Sequence, residues 1–203
     1  MNTATPSQKL FCKPQDLEHA LYFDQLETKD TIRVRSLDLE NDLSTIHRWV
    51  NHPKAKRFWQ MDGSFEELLQ AYTALLGYSY AHSFVGLYND HLICQADIYL
   101  VGCDEVCKHI DAGLDQCGIH FIMAPAHQPI KGLSRIFFSA FLKYYFSFPG
   151  AWIMFGEPDS ANEPANKLVL DTGFEFIKQI QLSYKQANLY QLTRSRFFEF
   201  QSL

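Results

Sequence analysis

The stretch between residues 117 and 156 constrains the fold more than any other. Cys117 to Ala124 (Cys-Gly-Ile-His-Phe-Ile-Met-Ala) reads as a strand. Lys131 to Phe148 reads as a long helix, and Ala151 to Gly156 (Ala-Trp-Ile-Met-Phe-Gly) as a short apolar strand of the buried kind. Strand, helix and strand in that order imply a crossover between parallel strands. Just upstream, Ser83 to Tyr88 and Leu92 to Leu100 flank the turn-type residues Asn89-Asp90-His91, which implies an antiparallel hairpin. The two together predict an α/β chain built on a mixed sheet.

The remaining elements fit around that unit. Apolar and charged residues alternate in Thr31-Ile32-Arg33-Val34-Arg35, as in a half-buried strand. Asp42 is read as the cap of a helix carrying Leu43, Ile46, Trp49 and Val50 on one face, and Asn51-His52-Pro53 as its end. Ser64 and Glu67 form a capping box for a second helix with Phe65, Leu68, Leu69 and Tyr72 at helical spacing. A helix from about Asn162 to Asp171 stops at Gly173, and strands Phe174 to Leu182 and Asn188 to Leu192 follow. Residues 1–30 are assigned to an N-terminal arm, in which Leu17, Ala20, Leu21 and Phe23 suit a short amphipathic turn, and residues 31–203 to one domain.

Composition excludes several classes. A net charge of −5 argues against a nucleic-acid binder. Five scattered cysteines, with no basic start or apolar run at the N-terminus, read as reduced thiols of a cytoplasmic protein. The most apolar stretch, Ile136 to Phe148, is interrupted by Lys143 and too short to span a bilayer, so no membrane role is expected. Cys103, Cys107, His109, Cys117 and His120 lie close together, but Cys117 and His120 are three apart on a strand and face opposite ways, so no metal is expected.

The order of elements, closed by Gly173-Phe174 and a strand pair, resembles the GNAT N-acetyltransferase fold. That resemblance implies a mixed, mostly antiparallel central sheet with helices on both faces. It also implies an acyl-CoA donor whose pyrophosphate sits at the N-terminus of the helix after the fold's fourth strand. There an anion meets free backbone N–H groups and the positive end of a helix dipole, and small residues let phosphate approach. The matching stretch is His127-Gln128-Pro129-Ile130-Lys131-Gly132, followed by Leu133 and Ser134. Gly132 fits the fold's signature and Lys131 adds a cation. Ile130 stands where the first glycine belongs, and His127 replaces the usual Gln or Arg. Asn162-Glu163-Pro164-Ala165 matches the fold's Asn-x-x-Ala spacing and implies a helix beside the pantetheine arm; a plain capped helix explains the same residues.

Three further pieces narrow the resemblance: Gly118-Ile119-His120-Phe121-Ile122, Glu157-Pro158-Asp159, and Leu182 to Tyr190 with Arg194 and Phe198. With Arg57-Phe58-Trp59, they resemble the hydroxamate-siderophore acyltransferases of the aerobactin, alcaligin and desferrioxamine type. In this chain Ser183 stands where that family often has proline. The resemblance implies acylation of an N-hydroxylated amine by acetyl-CoA or succinyl-CoA, without a metal. It carries the family's active-site pair onto His120 and Asp159, with the base left open between them and Asp159 set to orient or charge-balance the imidazole or to bind the hydroxylamine O–H. It places Arg57, Trp59, Glu157 and Lys185 around the acceptor. A succinyl donor would need a cation for its distal carboxylate, and Arg57, Lys54 and Arg48 are the candidates.

On the strand, His120 points opposite to Ile119 and Phe121, so it can face a cleft while they face the core. Its ordinary pKa suits a general base near neutral pH, and backbone N–H groups of Ile122, Met123 and Ala124 would receive the oxyanion. The length of the chain favours hydroxylated putrescine or cadaverine over N6-hydroxylysine, acted on by a monomer or homodimer. Two alternatives stay open: a GNAT enzyme for an ordinary amine (a polyamine, an antibiotic or a protein), and a CoA-binding module without catalysis.

Overall fold

The computed structural model describes residues 9–14, 21–111, 113, 115–126 and 129–201. It is built on one eight-stranded sheet in the order β1-β2-β3-β4-β5-β6-β8-β7. The strands are β1 (Tyr22–Gln25), β2 (Thr31–Ser36), β3 (Ala81–Tyr88), β4 (His91–Leu100), β5 (Cys117–Met123), β6 (Ile153–Gly156), β7 (Glu175–Gln181) and β8 (Gln186–Thr193). Every neighbouring pair is antiparallel except β5 with β6, joined through α4 (Leu133–Phe146). This is the mixed, mostly antiparallel central sheet that the sequence implies.

Helices cover both faces, and strand alternation sorts the core between them. On one face Phe84, Ala96, Ile98, Ile119 and Phe121 meet α4, α5 (Glu163–Asp171) and α6 (Arg194–Gln201). On the other, Val85, Leu87 and Ile122 meet α1 (Leu39–Val50) and α3 (Phe65–Gly77). Ten of the fourteen α4 residues are buried, which makes it the central helix of its layer. Six phenylalanines and tyrosines of α4, from Phe137 to Phe146, account for much of the aromatic surplus.

Local signals operate as read where they are self-contained. Ser64 and Glu67 complete both halves of the capping box on α3. The β3–β4 hairpin turns on Asn89 and Asp90, both at positive φ (48° and 64°), as a two-residue turn with the favoured twist requires. Gly173 stops α5 at φ +97°, where a side chain is strained.

Three readings are corrected. The cap of α1 is Asp38, whose side chain accepts from Glu40 and Asn41 N–H. Asp42 lies inside the helix, where its carboxylate takes both guanidinium nitrogens of Arg35 at 2.6 and 2.7 Å and the Asp38 N–H at 2.9 Å. Pro53 opens a helix as well as closing one: α2 (Pro53–Trp59) begins on it, a position where its missing N–H costs nothing. Within the N-terminal arm, Tyr22–Gln25 pairs with β2, and Leu10 and Cys12 are buried in the core. Of the expected amphipathic turn, Leu17 and Ala20 lie outside the described residues. The chain also closes with α6, which the periodicity does not announce.

The Arg35–Asp42 pair fastens α1 to the sheet. Asp42 is 4% exposed. Asp42→Ala leaves Arg35 without its partner and lowers stability by about 3 kcal/mol. A urea melt checks this; an unchanged midpoint would contradict the pair's role. Among the described residues no helix is long and apolar enough to cross a membrane.

Candidate active site

The crossover strands part soon after they meet. β5 and β6 pair only at Cys117↔Met154 and Gly118↔Phe155, so their C-terminal ends diverge and leave a wedge in the sheet. Such a break beyond the carboxyl ends of parallel strands is where open sheets accept ligands. The wedge exposes backbone. Ala124 N–H donates to the Ile93 carbonyl at 2.7 Å, and Val101 N–H to the Gln116 carbonyl at 3.0 Å, so even-numbered residues of β5 carry the ladder to β4. The alternation directs the N–H groups of Phe121 and Met123 to the wedge. Of the three oxyanion donors expected, Ile122 and Ala124 are therefore turned to β4, and Met123 alone offers its N–H.

His120 and Glu157 close the base of this wedge. His120 stands on β5, on the face opposite Ile119 and Phe121. Glu157 follows the last residue of β6, and its Oε1 is 2.5 Å from His120 Nε2. Lys185, on the turn between β7 and β8, reaches the same Oε1 at 3.8 Å. Burial alone would raise the Glu157 carboxyl, but the His120 ring, its hydrogen bond and Lys185 outweigh it and hold the group far down. Burial alone would likewise depress His120; Glu157, by charge and hydrogen bond, and Asp97 outweigh both burial and Lys185, and the ring is raised above its ordinary 6.5. An ionised Glu157 only accepts, so Nε2 carries the proton between them. In the neutral ring the lone pair is then on Nδ1. The His120 side chain is 34% exposed, so a ligand can reach it.

Aromatic and polar groups enclose the pair. The Tyr99 ring lies 4.8 Å from the His120 ring and the Trp59 ring 6.4 Å, edge-on. Of five buried side-chain polar atoms among the described residues that complete no hydrogen bond, four are Trp59 Nε1, Gln95 Oε1, Tyr99 Oη and Glu157 Oε2, on or beside this constellation. Tyr99 Oη is close enough to Glu157 to help hold its carboxyl down, though neither atom completes the bond. Unsatisfied buried groups are rare and collect at functional sites. The turn between β7 and β8 is pinned from two sides: Gln60 donates to the Tyr184 carbonyl at 3.3 Å, and Ser183 N–H donates to Glu105 at 2.9 Å.

Gly118 makes this arrangement possible. A Cβ there would lie 2.4 Å from the Tyr99 ring, which opposes it across the ladder. Gly118→Ala forces the ring away, lowers stability by about 1–3 kcal/mol and reduces turnover. Thermal unfolding and steady-state rates test both; an unchanged melting temperature would contradict the contact.

The residues expected at the site are placed unevenly. His120, Glu157, Lys185 and Trp59 come together. Asp159 does not sit on the ring: its carboxylate accepts from Ala161 N–H at 2.8 Å, and its backbone bridges Ala187. The pairing expected for Asp159 thus belongs to Glu157, two residues earlier, because the chain turns back against β8 beyond it. Asn162 uses its side chain to cap α5, accepting from Ala165 N–H at 3.3 Å. Arg57 is exposed over the Phe58 ring at 4.9 Å, and Arg48 and Lys54 are exposed as well.

Lys131 and Gly132 lie at the start of α4, with Leu133 and Ser134 in its first turn; His127 falls outside the described residues. Gly132 is at φ +83°, with nothing within 4 Å of where a Cβ would stand. Among the described residues no side chain caps α4, and its first turn holds no acidic residue, unlike α1, α3 and α5. Asp97, Tyr99, Gln95 and Asp104 join the site without having been singled out from sequence. The alternation of β4 marks Gln95, Asp97 and Tyr99 as sharing one face, but only the register with β5 puts that face beside His120. Cys117 belongs to the opposite core face from His120.

These features define an acetyltransferase. Residues 38–182 match the family described as the acetyltransferase (GNAT) domain, and the chain belongs to that family. It is an acyl-CoA N-acyltransferase. Within the family it is similar to the N-hydroxyputrescine acetyltransferase of Acinetobacter baumannii, at 25% identity over 88% of this chain and 85% of that protein. It is also similar to the N(6)-hydroxylysine O-acetyltransferase of Escherichia coli, at 21% identity over 92% of this chain and 59% of that longer protein. Among solved structures, an uncharacterised Bacillus halodurans protein superposes with a TM-score of 0.84 at 18% identity, covering 89% of this chain and 94% of that one. Aminoglycoside acetyltransferase AAC(6′)-Ib, in complex with coenzyme A, superposes with a TM-score of 0.75 at 20% identity, covering 83% and 98%. These structural likenesses bear on the fold alone.

Proposed function

We propose that the chain acylates the nitrogen of an N-hydroxylated amine with acetyl-CoA, producing a hydroxamate for siderophore assembly. The observation that carries the reading is the His120–Glu157 pair at the base of the wedge, with Nε2 taken by Glu157 and the His120 side chain 34% exposed. The two relatives named for hydroxylated amines support the choice of acceptor. Coenzyme A bound to a structural neighbour supports the choice of donor, and the open, uncapped start of α4 at Gly132 suits its pyrophosphate. Lys131 and the backbone of Leu133 and Ser134 would hold that group. The acyl-CoA supplies a thioester carbonyl at the wedge.

The residues then have simple tasks. A hydroxylamine nitrogen is less basic than an alkylamine, so it is largely neutral near pH 7 and needs no prior deprotonation. As its bond to the acyl carbon forms, Met123 N–H receives the carbonyl oxygen and His120 Nδ1 takes the nitrogen proton. Glu157 balances the resulting imidazolium. The carbon–sulfur bond breaks, and the proton returns from His120 to the departing sulfur. Lys185 is committed to Glu157, and Arg48, Lys54 and Arg57 are exposed, which supports acetyl over succinyl as the acyl group.

The test is steady-state release of free CoA from acetyl-CoA and succinyl-CoA with N-hydroxyputrescine, N-hydroxycadaverine, N6-hydroxylysine and the parent amines. The expected result is a higher kcat/KM for the hydroxylated diamines than for their parents, with acetyl-CoA preferred. Turnover of parent amines alone would establish an ordinary amine acetyltransferase instead, and CoA binding without turnover a non-catalytic module.

A further inference from the structure

We propose that Asp97 is a positioning residue for the acyl transfer, which from the strand beside His120 holds the imidazole and stabilises the charge it gains from the acceptor. The proposal rests on the reading of His120 as the base. Asp97 and His120 are directly opposed across the β4–β5 ladder and so present their side chains on the same face. Asp97 is 4% exposed, and among the described residues no lysine or arginine pairs with it.

Its carboxylate is fixed from the side. Gln95 donates to Asp97 Oδ1 at 2.6 Å, and to Ser83 Oγ at 2.9 Å, so three buried residues hold one orientation. The tether is made at a cost, since Gln95 Oε1 is left without a donor. Glu157 occupies His120 Nε2, so Asp97 acts on the ring by charge across the ladder rather than through that nitrogen.

The groups facing His120 are Asp97 and Tyr99 from β4, Glu157 after β6, Lys185 from the β7–β8 turn, Asp104 from the loop after β4, and Trp59 from α2. Lys185 opposes a charged imidazole. Glu157, Asp97 and Asp104 favour it, from the end of β6, from β4 and from the loop after β4. Asp97 also bears the cost of its place: burial pushes its carboxyl up to about 6, against the contrary pull of Ser83, His120 and Gln95. A buried carboxylate with no cation but the catalytic ring destabilises the fold, and its contribution is then to the reaction.

Asp97→Asn keeps the shape and the bond from Gln95 while removing the charge. The expected result is a melting temperature raised by a few degrees, a kcat lowered about 5- to 20-fold, and a KM for acyl-CoA within about twofold of wild type. His120, followed by NMR without any acceptor, titrates about 0.5–1 unit lower than in wild type. A raised melting temperature with the His120 titration and kcat both unchanged would overturn the proposal and leave Asp97 a structural residue. Should Asp97→Asn fail to fold, Asp97→Ser carries the same titration. Because that titration needs no acceptor, it stands apart from the acceptor panel. A wild-type enzyme that ignores hydroxylamines defeats the functional reading; an unmoved His120 defeats this one.

Discussion

Replacing His120 with alanine lowers kcat/KM by about 10²-fold or more and leaves the fold intact. The direction follows from what the ring supplies. Attack by a neutral hydroxylamine puts a positive charge on its nitrogen, and the intermediate collapses forward only when that proton leaves. His120 Nδ1 is the nitrogen not engaged by Glu157, and its ring is accessible. Alanine removes the acceptor but leaves the Met123 N–H and the start of α4, so binding of acyl-CoA persists and the loss appears in kcat. The fold survives because Glu157 keeps Lys185, 3.8 Å away, as a counter-charge. The measurement is steady-state CoA release with circular dichroism as a control. A variant within a few-fold of wild type would remove His120 from catalysis.

Glu157→Gln shifts the acid limb of kcat/KM to lower pH and lowers the plateau by about 10- to 100-fold. Against burial and Lys185, Glu157 is the main group that raises His120. Without its charge the ring falls, with Asp97 and Asp104 still favouring its charged form, and glutamine no longer enforces the tautomer that leaves the lone pair on Nδ1. Lys185→Met has the opposite sign: it removes a charge that lowers His120, so the acid limb moves to higher pH. Two neighbours of one ring thus shift one limb in opposite directions, which a general loss of structure would not do. Shifts of the same sign would contradict the assignment.

Stability carries the same linkage. The contribution of the raised His120 is present below 6.5 and lost as pH rises through its folded value. That of the depressed Glu157 is present above 4.5 and lost as pH falls toward about 2. Glu157→Gln forfeits both and costs about 3 kcal/mol, read by denaturant unfolding.

Much of the fold is legible because its signals are local. The capping box at Ser64 and Glu67, the turn at Asn89 and Asp90 and the stop at Gly173 each specify a backbone conformation within a few residues. The facing of His120 is legible from the period of a strand. What fails depends on distant partners. Asp38 and Asp42 are both suited to cap α1, and Arg35 decides between them by claiming Asp42. Pro53 can end one helix or begin another, and here it does both. Glu157 and Asp159 lie two apart at a strand end; the bridge from Asp159 to Ala187 draws one away and leaves the other on His120. Asp97 becomes part of the site only through the register of β4 on β5, which no single stretch of sequence contains.

The most direct test is the chemical identity of the product. Wild-type protein incubated with acetyl-CoA and N-hydroxycadaverine is expected to form a hydroxamate, detected by its coloured iron(III) complex, in a one-to-one ratio with free CoA. The His120→Ala protein should form it about 10²-fold more slowly. CoA release without any hydroxamate, or faster release with cadaverine itself, would contradict the account.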